Sequence, residues 1–144
     1  MSGWKALIGV VVFGYVALVG LMYVAQRALM YFPDTARISP ADAGFAEAQE
    51  IRFESGDGTA LIAWHVPPAA GKPLVLYLHG NGGALRHRVP RLRALTQAGY
   101  GILALSYRGY GGSSGSPSEA GLIADGRAAY ELARLKQPQA RIVV

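Results

Sequence analysis

Leu74-Val75-Leu76-Tyr77-Leu78-His79-Gly80-Asn81-Gly82-Gly83 is the stretch on which the fold turns. Five apolar residues bounded by Pro73 and Gly80 have the pattern of a strand covered on both faces in a parallel sheet. The glycines that follow let the backbone turn at the carboxyl end of that strand, the place where open α/β sheets hold ligands and reacting groups. Beyond them Leu85, Val89, Leu92 and Leu95 recur at helical spacing, with Pro90 in the first turn and Gly99 placed to close the helix. A second buried strand is predicted over Ile102 to Tyr107.

The pattern then repeats. Ser116 and Glu119 form a Ser-x-x-Glu capping box with Pro117 at the first helical position, which predicts a helix from there to about Leu135. Its buried face is expected to be Leu122, Gly126, Ala129 and Leu132, leaving Asp125 on a solvated face. Arg141 to Val144 is extended again. Strand, helix, strand, helix, strand is the pattern of right-handed βαβ crossovers and so of an α/β fold.

Upstream of this core, Ile51 and Phe53 alternate with charged residues, Gly56-Asp57-Gly58 interrupts, and Leu61 to Val66 resumes an apolar run, which reads as a hairpin. Residues 31–45 are rich in Pro, Asp, Ser and Ala without sustained periodicity and are expected to be a linker. Before them, Ala6 to Ala25 contains no charge. At ~1.5 Å per residue such a run crosses a hydrocarbon core of ~30 Å. Trp4, Tyr23 and Tyr31 stand where aromatic rings favour the headgroup layer, and Lys5 and Arg27 bracket the run. Residues 1–30 are therefore expected to be a single-pass anchor in the lipid bilayer, with the following domain on the non-cytoplasmic side. A cleaved secretory signal fits less well, because the apolar run exceeds the ~7–15 residues of a signal core.

The chain of 144 residues has no cysteine, which excludes a disulfide framework, a thiolate metal site and a cysteine nucleophile. The net charge of +5 rests largely on arginine, with Arg86, Arg88, Arg91 and Arg93 around His87. No nucleic-acid motif accompanies the cluster, so it reads as a solvated helix face beside anionic lipid and not as a nucleic-acid groove. No His/Asp/Glu grouping has metal-ligand spacing, and no cofactor is implied.

Chemistry concentrates in the glycine loop. His79-Gly80-Asn81-Gly82-Gly83 lacks both the dinucleotide fingerprint and the Gly-Lys-Ser/Thr of a P-loop. Glycines at such a turn can aim backbone N–H groups at a reacting oxygen. Gly111-Gly112-Ser113-Ser114-Gly115 matches Gly-x-Ser-x-Gly letter for letter. A nucleophile elbow, however, is a strained turn directly between strand and helix, whereas Arg108-Gly109-Tyr110 intervenes here and no histidine follows His87. Ser113 is not expected to be a nucleophile. His65 reads as a solvent or sheet-face residue of a strand and His79 as a structural one.

Leu76 to Gly83, followed after the next strand by Ala104-Leu105-Ser106-Tyr107-Arg108-Gly109-Tyr110-Gly111, resembles the α/β-hydrolases. With Gln26-Arg27-Ala28-Leu29-Met30-Tyr31-Phe32-Pro33 directly after an anchor, it resembles more narrowly the membrane-anchored bud-emergence-like branch near the serine aminopeptidase-like hydrolases. The resemblance implies that residues 46–144 are the N-terminal part of an α/β-hydrolase domain and that the activity is acyl-enzyme cleavage of esters, thioesters or amides in a small-molecule, lipid or peptide substrate. It also implies that Asn81 donates a backbone N–H to the oxyanion, within a loop shaped by His79, Gly80 and Gly82. The nucleophile elbow is expected a few residues beyond Val144, so that residues 1–144 would lack the triad and be inactive alone. Many members of the family carry Asp at the position of Ser106, a departure that touches any pairing with Arg108. A membrane-tethered binding module reusing the same scaffold is the alternative.

Overall fold

The computed structural model describes residues 3–144, which divide into two compact units, the first ending at Tyr31 and the second spanning Phe32–Val144. The first is one helix, α1 (Gly3–Met30), none of whose residues is buried. Its 28 residues give ~42 Å at 1.5 Å each, more than the ~30 Å of a bilayer core. It is the one helix among the described residues long and apolar enough to cross a membrane.

The second unit runs β1 (Phe32–Pro33), β2 (Gln49–Glu54), β3 (Ala60–Val66), β4 (Leu74–Leu78), β5 (Gly82–Gly83), a 3-10 turn (Leu85–Arg88), α2 (Val89–Gln97), β6 (Gly101–Ser106), α3 (Glu119–Lys136) and β7 (Ile142–Val143). The main sheet has the order β2-β3-β6-β4-β7. The β2–β3 hairpin is antiparallel, with Glu54 opposite Ala60, and β3 joins β6 antiparallel. β4 is parallel to both β6 and β7. The chain thus moves from β4 to β6 in one direction and from β6 past β4 to β7 in the other. Right-handed crossovers in opposite directions place their helices on opposite faces of a sheet.

The core bears this out. On one face Ile62, Trp64, Ile102 and Ala104 pack with Val89 and Leu92 of α2 and with Phe45. On the other, Leu61, Ala63, Leu74, Leu76, Leu103 and Leu105 pack with Ala129 and Ala133 of α3. Alternate residues of β3 and β6 serve opposite faces, as the two-residue period of a strand requires.

Three expectations are corrected. Residues 32–45 are not a spacer: β1 pairs with β5, and Phe45 is fully buried with its ring centroid 6.4 Å from that of Trp64. Composition hid this because the packing partners of the segment are distant in sequence. Helix α3 begins two residues later than the Ser116 box implies, since it is Ser118 whose Oγ accepts from the Gly121 N–H at 3.2 Å. Its buried stripe is Gly121, Asp125, Ala129 and Ala133, one position away from the apolar stripe for all but Ala129. The cause is Asp125, which is wholly buried where a solvated position was expected. Arg108 lies against it, and that ion pair sets the rotation of the helix.

Candidate functional site

The two crossovers diverge from neighbouring strands, β4 feeding α2 and β6 feeding α3. Adjacent parallel strands whose connections leave toward opposite faces open a crevice at their carboxyl ends, the topological switch point. Residues 79–83 leave β4 there, and residues 107–115 leave β6.

His79 joins the two loops. It is 7% exposed, and its ring lies edge-on to Tyr107 at 5.1 Å and to Tyr110 at 4.9 Å between centroids. Its Nδ1 is 2.6 Å from the Gly80 carbonyl oxygen. A carbonyl only accepts, so Nδ1 carries the proton. Burial lowers the pKa of His79; the bond to Gly80 opposes this and Arg88 adds to it. The neutral form of the ring is thus favoured relative to a free histidine, and its Nε2 is buried without a hydrogen-bond partner.

Asn81 is exposed at the tip of the turn. Its carbonyl accepts from the Phe32 N–H at 2.9 Å and from the Tyr110 hydroxyl at 2.8 Å. Gly82 and Gly83 pair in parallel with Phe32 and Pro33, and the Asp34 N–H donates to Gly83 O. Gly83, at φ +82°, would set a Cβ 2.9 Å from His87 Nδ1, so this position requires glycine. The sequence-expected residues His79, Gly80, Asn81 and Gly82 therefore form one loop braced by segments that the sequence did not connect to it.

Arg108 is the anchor of the second loop. Its guanidinium meets Asp125 Oδ1 at 2.7 Å and Asp57 Oδ2 at 2.8 Å, and its backbone N–H donates to Asp125 Oδ2 at 2.9 Å. This raises the pKa of Arg108, first through Asp125 and then through Asp57, while the Arg108 hydrogen bond, aided by Thr59, holds Asp57 far below the usual carboxylate range. Ser106 takes no part in this pairing: its hydroxyl donates to Tyr110 O at 2.9 Å. Tyr107 has its pKa raised by burial and by Asp125.

Ser113 is locked in structural bonds. Its hydroxyl donates to Ser106 O at 2.7 Å and accepts from the Ile62 N–H at 2.9 Å, with the side chain buried. Ser114 clasps the backbone of Ala60 in the same way. The Gly-x-Ser-x-Gly match is a clip that fastens the loop after β6 to the start of β3. The arginine cluster is likewise employed within the fold and is not a freely solvated face: Arg88 donates to Gly82 O at 2.7 Å, Arg93 to Gly44 O, and Arg86 pairs with Asp34. His65 is 7% exposed, and its pKa is lowered by burial and then by Lys136.

No family model matches the chain. An uncharacterized protein of Mycobacterium tuberculosis is 40% identical over 108 residues, covering 74% of this chain and 38% of the relative. The lysophosphatidylserine lipase ABHD12 of Danio rerio is 32% identical over 122 residues, covering 70% of this chain and 31% of that lipase. The chain spans well under half the length of these curated relatives. Among solved structures, the Pyrococcus furiosus esterase Pf2001 superposes with a TM-score of 0.62 at 24% identity, covering 78% of this chain and 44% of the esterase. Residues 32–144 therefore carry an α/β-hydrolase-like fold, and these likenesses in sequence and structure support placing the chain with the α/β-hydrolases.

Proposed function

We propose that this chain supplies the oxyanion-loop portion of a membrane-anchored serine hydrolase that cleaves ester, thioester or amide bonds through an acyl-enzyme, with the Asn81 backbone N–H as one oxyanion donor. The observation that carries the reading is the orientation of the Gly80–Asn81 peptide at the switch point. In a trans peptide the N–H points opposite to the carbonyl. Because Gly80 O is turned onto the His79 ring, the Asn81 N–H is turned away from it, and a donor aimed before the reaction begins is what oxyanion stabilisation requires. The role of His79 is to fix that peptide and not to take a proton. In this reading α1 spans the bilayer and the hydrolase domain lies on the non-cytoplasmic side. Lipid esters are the favoured substrates, because an anchored site meets amphiphiles at high local concentration.

In this reading Ser113 is not the nucleophile that the oxyanion donor serves. Ser113 is held by backbone groups, His79 is bonded to a carbonyl, and His87 Nδ1 accepts from the Ala84 N–H. Those bonds favour a second reading of the chain by itself, a membrane-tethered module that binds without turnover.

Two arms test the proposal. The purified chain treated with a fluorophosphonate probe is expected to show no labelled serine, and labelling of Ser113 would overturn this account of the loop. A chimera joining the chain to the part of the mycobacterial relative beyond its matching 108 residues is expected to hydrolyse p-nitrophenyl esters. Asn81→Pro, which deletes the N–H, should then lower kcat by about 10²–10³; an unchanged kcat removes Asn81 from the oxyanion hole.

A further inference from the structure

We infer that Tyr110 is a positioning residue for the Asn81 backbone, acting through the Asn81 carbonyl; the inference rests on the oxyanion reading above. Two peptide planes meet at the Asn81 Cα, and the structure braces each from its carbonyl side. The Gly80–Asn81 plane is held by His79 Nδ1 on Gly80 O. The Asn81–Gly82 plane is held by the Tyr110 hydroxyl and the Phe32 N–H on Asn81 O. Tyr110 serves both, since its ring also packs edge-on against the His79 imidazole at 4.9 Å. Fixing both planes fixes φ and ψ of Asn81 and so the direction of its N–H.

Tyr110 is itself firmly set. It is 1% exposed, its carbonyl accepts from Ser106 Oγ at 2.9 Å and from the Ser113 N–H at 2.8 Å, and its own N–H donates to Tyr107 O. A buried tyrosine hydroxyl must find a partner, and a phenylalanine would fill the same volume without that need. The partner here is not a core group but the carbonyl of the residue whose amide is to be aimed. The Ser113 clip contributes indirectly, by holding the turn from which Tyr110 projects.

The test is amide hydrogen exchange on the whole chain in detergent micelles, comparing the unaltered protein with Tyr110→Phe and with Tyr107→Phe as the control for loss of a hydroxyl beside His79. The Phe32 and Asp34 amides report the loop, since they donate to Asn81 O and Gly83 O; those of Leu103 and Leu105 report the sheet. In Tyr110→Phe the two loop reporters are expected to exchange about five- to tenfold faster, the size of one lost hydrogen bond. The sheet reporters should hold, and the 15N resonance of Gly82, which shares the peptide losing its donor, should move. Tyr107→Phe should leave all of them in place. Loop exchange equal to that of the unaltered chain, or acceleration shared equally by Leu103 and Leu105, overturns the inference. In the unaltered chain a slowly exchanging Tyr110 hydroxyl proton with an Overhauser contact to Asn81 is expected, and its absence also overturns it. None of these measurements needs turnover. Failure here therefore removes Tyr110 and leaves the oxyanion reading standing, whereas an unchanged kcat in Asn81→Pro removes the oxyanion reading and leaves Tyr110 only as a brace of the Asn81 carbonyl.

Discussion

Two imidazoles, those of His65 and His79, are buried with Nε2 unpartnered, and burial holds both pKa values below the ordinary histidine value. Both states of the chain are neutral at these sites well above about pH 6.5. As pH falls, the unfolded chain takes up protons first, so stability is lost progressively on the acidic side of that value. The urea midpoint of the chain in micelles is expected to be lower at pH 5 than at pH 7.5, and the drop should shrink in His65→Leu. Asp57 acts in a separate window, because its depressed pKa removes stability only as pH falls below its ordinary value of 3.8. At this scale the sequence showed what is contiguous. His79 to Gly83 stood out as a motif because its residues adjoin. The pairing of Arg108 with Asp125, 17 positions apart, and of Tyr110 with Asn81, 29 apart, has no local signature, and the departure at Ser106 drew attention away from the true partner.

Helix α3 shows how one ion pair overrides apolar periodicity. Glycine in a helix costs about 1 kcal/mol against alanine, so replacing either helical glycine should stabilise an isolated helix. A Cβ at Gly121 would sit 2.6 Å from Arg108 Cδ, whereas one at Gly126 meets nothing within 4 Å. Gly126→Ala is therefore expected to raise the thermal midpoint slightly and Gly121→Ala to lower it. Asp125→Ala should be worse than either, at about 3–5 kcal/mol, since it leaves the Arg108 guanidinium buried without its main partner. Thermal melts of the three variants check the order. Strands β3, β4 and β6 and helix α2 were legible from their apolar runs, which here largely coincide with burial, whereas β1 and β5 carry no such run. The start of α3 was displaced because the hydroxyl that caps the helix is that of Ser118, two residues beyond the serine of the Ser-x-x-Glu box.

At the scale of the molecule, the fold class was readable because alternating strand and helix patterns leave few topologies. The antiparallel join of β3 to β6 and the use of residues 32–45 as part of the core were not, since both depend on partners far along the chain. The apolar helix carries a prediction of its own: the chain should stay with the membrane fraction through alkaline extraction and be released by detergent, and release at alkaline pH would count against a spanning anchor. The two-residue ladder between β1 and β5 has a consequence for the order of assembly. It joins parts of the chain far apart in sequence, so it must meet a loop-closure entropy with very few bonds, while the β2–β3 hairpin closes locally. Such a ladder forms late and opens early. Heating should therefore disorder the glycine loop while the sheet is still intact, and any activity that depends on the loop would fade before the protein unfolds.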